Sequence, residues 1–197
     1  MAARDKNSNL TGLPGFLNGI AGLFGVGATA QSRTAQPRAG RAEAGAAAAA
    51  SLAVSPGQGG SSATREVDPP GRDGLRITYA PQRDGDPDAG EVVWTWVPYQ
   101  ENDGRGKDRP VLVIGRQDAD RVYAVRLTSK AHDGDRDFLP IGPGSWDSQG
   151  RPSWVDIDQL YSVHADGMRR EASALDLDRF AVVAQALHAR YGWAAGE

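Results

Sequence analysis

Three basic side chains precede an apolar run in a segment that has the chemistry to bind phosphate. They are Arg105, Lys107 and Arg109, and the last of them stands next to Pro110 and the run VLVIG over residues 111–115. A guanidinium can donate to two phosphate oxygens at once and stays charged at any working pH. Arg109 is therefore a candidate phosphate clamp, and the alternative from spacing alone is a surface arginine at a turn.

A second polar group follows the apolar run RVYAVRL over residues 121–127. Here Thr128, Ser129 and Lys130 place two hydroxyls and an ammonium at the end of a predicted strand. Such hydroxyls could hold a phosphate oxygen or orient a ribose hydroxyl, although serine and threonine at strand ends often only form turns. Both interpretations stay open at this point.

Two carboxylates in the segment VDIDQ are two positions apart, which places Asp156 and Asp158 on one face of a strand. Such a pair could raise one pKa and supply a general base, or it could simply be solvated. None of the three histidines, His132 among them, has a second histidine at metal-ligand spacing, and the chain has no cysteine. We predict no metal site and no cofactor, and disulfides and a cysteine nucleophile are excluded.

The elements that must position these side chains begin at about residue 75, where short apolar runs alternate with turn signals. Strands are predicted over residues 91–97, 111–115, 121–127, 138–141 and 153–157, with a polar loop over residues 98–110. Helical spacing of apolar residues from Leu177 to Tyr191 predicts a terminal helix, capped by Asp176 and ended by Gly192. We expect a mainly β fold with one C-terminal helix, as in a small SH3-like barrel.

Residues 1–74 differ from the rest, because they are rich in Ala, Gly, Ser, Pro and Arg. Such a segment buries too little apolar area to offset its ordering entropy, so we predict a disordered arm with one transient helix over residues 42–53. The folded domain is predicted over residues 75–197. Residues 16–26 imitate a signal peptide, but a short amphipathic tail segment is the alternative, and no stretch is long enough to span a bilayer. We expect a cytoplasmic protein with no membrane contact.

The net charge of -3 and the pI near 5.6 provide no general basic surface. Any nucleic-acid site must therefore be a local patch.

Four segments, in this order, resemble the PemK/MazF toxin family. They are GEVVW at 90–94, GKDRPVLVI at 106–114, LTS at 127–129 and DQ at 158–159. The resemblance extends over roughly residues 75–193. It implies an SH3-like barrel that forms a homodimer, cleaves single-stranded RNA without metal, and often has a cognate antitoxin that inserts into the RNA site.

By this resemblance, Arg109 matches the family's catalytic arginine, Thr128 its hydroxyl after the third strand, and Asp158 the acid of the Asp-Gln motif. Attack of a ribose 2′-hydroxyl on the adjacent phosphate needs a base, an acid and charge stabilisation. The implied roles are charge stabilisation by Arg109, phosphate positioning by Thr128, and proton transfer by Asp158 or His132. Further candidate substrate-binding residues flank these positions: Arg105, Lys107, Ser129, Lys130, His132 and Gln159.

The chain also departs from the family pattern. The loop before Arg109 is more acidic, and Asp156 stands where some members carry a second arginine, so we expect it to repel a phosphate. The alternative function is a non-catalytic interaction module that binds a protein partner, either gyrase, as the CcdB toxins of similar fold do, or an antitoxin. A degenerate toxin-like domain that serves as a partner-binding unit for the arm is a third interpretation.

Overall fold

The computed structural model describes residues 54–82, 84–101 and 103–196. Within these residues the chain forms ten strands and one α-helix. The strands are β1 (Arg65–Val67), β2 (Arg76–Ile77), β3 (Glu91–Pro98), β4 (Gly106–Arg116), β5 (Arg121–Thr128), β6 (Phe138–Gly142), β7 (Ser153–Asp156), β8 (Leu160–His164), β9 (Met168–Ala174) and β10 (Ala194–Ala195), and the helix is α1 (Leu177–Tyr191). No helix in this described part is long and apolar enough to cross a membrane.

The main sheet has the strand order β1-β8-β5-β4-β3-β9, and β7 joins it by pairing with β5 and with β6. All of these pairs are antiparallel, whereas β2 and β10 form a separate parallel pair. Register shifts between Val92 and Val93 and between Val113 and Gly115 are bulges, which increase local twist and bend the strands. A mainly β protein with a terminal helix was expected and is confirmed.

Both faces of the central strands are buried, because consecutive residues of a strand point to opposite sides. One core contains Leu112, Ile114 and Leu127 together with the inner face of α1. The other core is smaller and consists largely of valines, with Tyr161 at one side. The continuous apolar run of β4 thus contributes side chains to both cores.

The terminal helix begins and ends where the sequence predicts. The Asp176 carboxylate accepts a hydrogen bond from the Arg179 backbone N–H, and this contact caps the first turn. Gly192 adopts a left-handed conformation with φ of 77°, and its N–H donates to the His188 carbonyl. Phe180, Val183 and Leu187 are buried against the larger core.

The loop predicted over residues 98–110 is shorter in the structure, because β4 begins at Gly106. Lys107, Asp108, Arg109 and Pro110 are therefore strand residues, paired with β3 in a register that includes Thr95↔Arg109. Pairing of β4 with β5 begins only at Val111↔Arg126. A proline is compatible with that position, since the β5 side of the strand has no partner there.

The predicted arm was too long at its C-terminal end. Strand β1 pairs with β8, and the backbone N–H of Trp96 donates to the Pro56 carbonyl at 3.1 Å. Gly57 has φ of 81°, and an added Cβ would lie 2.2 Å from Thr95 Oγ1, so this close approach requires glycine. Hydrogen bonds and close backbone packing, not apolar burial, hold this segment, which explains why composition did not reveal it. The rest of the arm, the transient helix and the signal-like segment lie outside the described residues.

Candidate functional site

A cavity of about 250 Å³ lies where β4 and β5 separate. Its lining includes two runs of consecutive residues, 107–110 of β4 and 127–130 at the end of β5. Consecutive strand residues alternate between faces, so a cavity lined by both runs lies in the opening between the strands. The separation follows from the register, because β4 and β5 are paired only from Val111↔Arg126 inward.

The opening brings together five of the residues that the sequence predicts for the site. These are Lys107, Arg109, Thr128, Ser129 and Lys130. Extending the register outward by two positions from Val111↔Arg126 places Arg109 opposite Thr128, on the same side of the sheet. The predicted meeting of the basic segment and the hydroxyl cluster is therefore present.

Three of the four basic residues that line the cavity have no acidic partner among the described residues, and the fourth is Arg151. The side chains of Lys107, Arg109 and Lys130 form no ion pair or hydrogen bond with any residue that the structure describes. Arg109 is nevertheless half-buried, so part of its hydration is already removed. Half-buried guanidinium groups without a partner favour an anionic ligand.

The acidic residues of the cavity, by contrast, are paired. Asp108 Oδ2 lies 2.8 Å from Arg169, and Asp147 Oδ2 lies 2.9 Å from Arg151. Burial raises the pKa of Asp147, but hydrogen bonds from the Gln149 N–H and from Arg151 outweigh it, and the net shift is downward. The cavity is therefore a local positive patch on an acidic chain, as an RNA site on such a chain requires.

The hydroxyl of Thr128 already accepts one hydrogen bond within the fold. Thr128 Oγ1 accepts a hydrogen bond from the Lys130 backbone N–H at 3.2 Å. Its own hydrogen points to no partner among the described residues, so it can donate to a phosphate oxygen. Ser129 is exposed next to it.

Several lining residues were not predicted, and three of them, Trp146, Asp147 and Arg151, come from the segment between β6 and β7. Trp146 is 2% exposed, and its indole N–H donates to Ser153 Oγ at 3.0 Å. Trp94 of β3 and Asp108 complete this wall, and both Trp94 Nε1 and Asp108 Oδ1 are buried without a hydrogen-bond partner. A tryptophan inside a segment rich in glycine, proline and serine was the one available signal for this wall.

Asp158 and Gln159 do not line the cavity. The exposed Asp158 carboxylate pairs with Arg190 of α1, and Arg190 also contacts Asp137 at 2.6 Å. Gln159 accepts a hydrogen bond from the Tyr161 hydroxyl at 2.9 Å and donates to Glu66 at 3.4 Å. Both members of the Asp-Gln motif thus make contacts between elements of the fold.

Arg105 and His132 also lie outside this lining. Arg105 is 70% exposed and pairs with Asp103 at 2.6 Å. The His132 ring stacks on Phe138 with 3.6 Å between ring centroids, and its Nδ1 lies 3.5 Å from Asp135. The positions of Arg105 and His132 therefore do not support the binding roles predicted for them.

The two carboxylates predicted to share a face have different surroundings. The Asp156 side chain is 3% exposed and accepts a hydrogen bond from Arg126 Nε at 2.7 Å. Asp158 is exposed, and its backbone N–H donates to Asp156 Oδ1 at 2.9 Å. Since each carboxylate has its own arginine, they do not form an acid–base dyad. The expected repulsion of phosphate by Asp156 is offset by Arg126.

A second, more apolar cavity of about 890 Å³ lies along α1. Tyr79, Phe180 and Ala195 are among its lining residues, together with the exposed side chains of Leu177 and Val182. Within the part of the chain that the structure describes, no cluster of three or more His, Asp or Glu side chains is placed to hold a metal ion.

Comparisons with known proteins agree with this geometry. The family model described as PemK-like, MazF-like toxin of type II toxin–antitoxin system matches residues 88–190, just over half of the chain. Among solved structures, MazF from Deinococcus radiodurans is 24% identical with a TM-score of 0.43, and the match covers 54% of this chain and 96% of that chain. A MazE–MazF complex from the same organism is 23% identical with a TM-score of 0.41, covering 55% and 98% of the two chains.

An endoribonuclease in complex with its cognate antitoxin from a mycobacterial species is 20% identical with a TM-score of 0.43, covering 54% of this chain and 96% of that chain. A comparison with curated proteins finds no match. The expected membership in the PemK/MazF toxin family is confirmed. The chain belongs to the PemK-like, MazF-like toxins of type II toxin–antitoxin systems.

Proposed function

We propose that the chain is an endoribonuclease toxin that cleaves single-stranded RNA without a metal ion. The observation that carries the proposal is the half-buried guanidinium of Arg109, which has no acidic partner and lies beside Thr128 at a cavity. Membership in a toxin family known for endoribonucleases supports the reaction class.

Cleavage proceeds by attack of a ribose 2′-hydroxyl on its own adjacent phosphorus, which breaks the bond to the 5′-oxygen of the next nucleotide. The phosphorane formed on the way carries extra negative charge, and the planar fork of Arg109 can donate to two of its oxygens. Thr128 and Ser129 position the phosphate, and Lys107 and Lys130 bind neighbouring phosphates. DNA is not a substrate, since it lacks the attacking hydroxyl.

Proton transfer requires a general base and a general acid. The resemblance proposes Asp158 or His132, both outside the lining residues of the cavity. Asp108 joins them as a candidate, because it lines the cavity and its Oδ1 has no hydrogen-bond partner.

An antitoxin partner is part of the proposal, because the family belongs to type II toxin–antitoxin systems. A homodimer and a cytoplasmic location follow from the same family membership and are proposed with it.

The test compares full-length wild type with Arg109→Ala on a mixed RNA pool in the presence of EDTA. Wild type is expected to cut the RNA and leave 2′,3′-cyclic phosphate ends. Arg109→Ala is expected to lose at least about 100-fold in rate, the usual cost of removing a donor to a developing charge. Arg105→Ala is the matched control, since Arg105 is exposed and paired with Asp103, and it is expected to cleave like wild type.

Equal, background-level cleavage by wild type and Arg109→Ala would reject the enzyme. It would favour the alternative function, an interaction module for a protein partner. The apolar cavity along α1, with Leu177 and Val182 exposed at 56% and 54%, is the observation that favours this alternative.

A further inference from the structure

Arg126 lies on β5 two residues before Thr128, so their side chains share one side of the sheet. Its partner in the register is Val111 of β4, and Arg109 is two residues from Val111 along the same strand. Arg109, Arg126 and Thr128 therefore occupy neighbouring positions on one side of two adjacent strands. Residues at such diagonal positions are within reach of one another when their side chains are long.

The guanidinium of Arg126 is only partly used. Its Nε donates to Asp156 Oδ2 at 2.7 Å, and the two side chains are 20% and 3% exposed. Its two terminal nitrogens donate to no residue that the structure describes. Asp156 thus holds the arginine through one nitrogen and leaves the outer end of the fork available.

Arg121, at the other end of β5, is an arginine whose two terminal nitrogens both have partners within the fold. Its terminal nitrogens donate to the carbonyls of Ser61 and Ala63 and to both oxygens of Ser162. These contacts fasten the segment before β1 to the sheet. Both terminal nitrogens of Arg121 thus have partners within the fold, whereas those of Arg126 have none among the described residues.

The buried phenol of Tyr161 reports that these charges are gathered in one place. Burial raises the pKa of Tyr161 to about 12, while the positive charges of Arg126 and Arg109 act in the opposite direction. Both guanidinium groups are therefore close to the same hydroxyl. Two carboxylates, Glu66 and Asp156, act on the same hydroxyl and raise its pKa. Asp156 pairs with Arg126, whereas no described carboxylate pairs with Arg109.

We propose that Arg126 is a further phosphate-binding residue, held in place by Asp156 beside the cavity that Arg109 and Thr128 line. The inference rests on the proposed function and assigns a further residue to it. It also gives Asp156 a role at the position where some family members carry an arginine. Here the positive charge comes from Arg126 on the neighbouring strand β5, and Asp156 orients its side chain.

The test measures equilibrium binding of the full chain to a random-sequence pool of 2′-O-methyl RNA, which cannot be cleaved by 2′-hydroxyl attack. Affinity is measured over a series of salt concentrations for wild type, Arg126→Gln, Arg109→Gln and Arg121→Gln. Each lost phosphate contact lowers the slope of log affinity against log salt by about 0.7 for a single strand. We expect that loss for Arg126→Gln and for Arg109→Gln, with roughly 10- to 100-fold weaker binding at low salt.

Arg121→Gln is the matched control, because it removes an arginine of the same strand whose two terminal nitrogens donate within the protein. It is expected to lower thermal stability and to keep the wild-type salt slope. If Arg121→Gln lost an equal amount of slope, the Arg126 effect would be explained by a general loss of positive charge. That result would overturn the inference.

An unchanged slope in Arg126→Gln, with a reduced slope in Arg109→Gln, would overturn the role of Arg126 and leave the proposed function standing. No RNA binding by folded wild type would reject both. If Arg126→Gln does not fold, the double variant Arg126→Leu with Asp156→Leu replaces the pair by apolar side chains, which proteins often tolerate. The same loss of slope is expected there, and its absence would again overturn the inference.

Discussion

Two regions of the molecule contain residues that the family resemblance groups in one site, and the regions differ in how the charge of their arginines is used. In the opening between β4 and β5, Arg109 has no acidic partner among the described residues. At the end of α1, Arg190 contacts both Asp137 and Asp158, and its hydrogen bond to Asp137 is the largest cause of its raised pKa. Guanidinium donors without a protein partner are available to a ligand, whereas the terminal nitrogens of Arg190 are both used in contacts of the fold.

The comparison divides the residues that the family resemblance groups together. Arg109 and Thr128 belong to the open region, whereas Asp158 belongs to the paired one. If chemistry follows unpaired charge, variants of the first region should change the reaction, and variants of the second should change stability. The predictions below test that division.

Thr128→Val should have the largest effect, because it removes a hydroxyl from the open region and keeps the side-chain shape. We expect kcat for RNA cleavage to fall about 100-fold, as for loss of one donor to a developing charge. Single-turnover cleavage at saturating enzyme measures the chemical step. Thr128→Ser keeps the hydroxyl and should retain most of the rate. An undiminished rate in Thr128→Val would remove this side chain from the site.

Much of the fold was predictable from local sequence signals. The run EVVWTWV predicts β3 because β-branched and aromatic residues favour strands, and Asp176 and Gly192 mark the ends of α1. Strand β9 was not predicted, since the sequence MRREASA is polar and lacks alternation. Its place comes from pairing with β3, which is a tertiary interaction and leaves no local signal.

The site was predictable only in part, for a similar reason. Arg109 and Thr128 stand out because each adjoins a clear strand, and the antiparallel register then brings them together. The wall formed by Trp146 and Ser153 depends on how a turn-rich segment packs, which composition does not show. Asp158 looked catalytic by motif, but its pairing with Arg190 depends on where the end of α1 lies in three dimensions.

Asp158→Asn should have a smaller effect, because it removes one of two carboxylates that contact Arg190. We expect cleavage within about threefold of wild type and a Tm lower by at most about 4 °C, since exposed ion pairs contribute little to stability. Asp137→Asn is the matched control, because it removes the other partner of the same arginine. A large loss of cleavage in Asp158→Asn alone would return Asp158 to the chemistry, as the resemblance implies.

Tyr161 lies near the arginines of the first region and should give the smallest effect, visible only at high pH. Its hydroxyl donates to Gln159, and burial raises the pKa of Tyr161 to about 12, from an ordinary value of 10.0. The folded protein therefore keeps this proton after the unfolded chain has lost it. The resulting stability is complete below the ordinary pKa and is lost as the pH rises through the interval between the two values.

Replacing the phenol tests this directly. Tyr161→Phe should lose less unfolding free energy than wild type between pH 9 and pH 11, by on the order of 1 kcal/mol, as measured by urea denaturation at each pH. RNA cleavage near neutral pH should change little, because the phenol is protonated and uncharged at that pH. An identical loss for both proteins would mean that the phenol is solvated, and the closeness of Arg109 and Arg126 inferred from it would then lack that support.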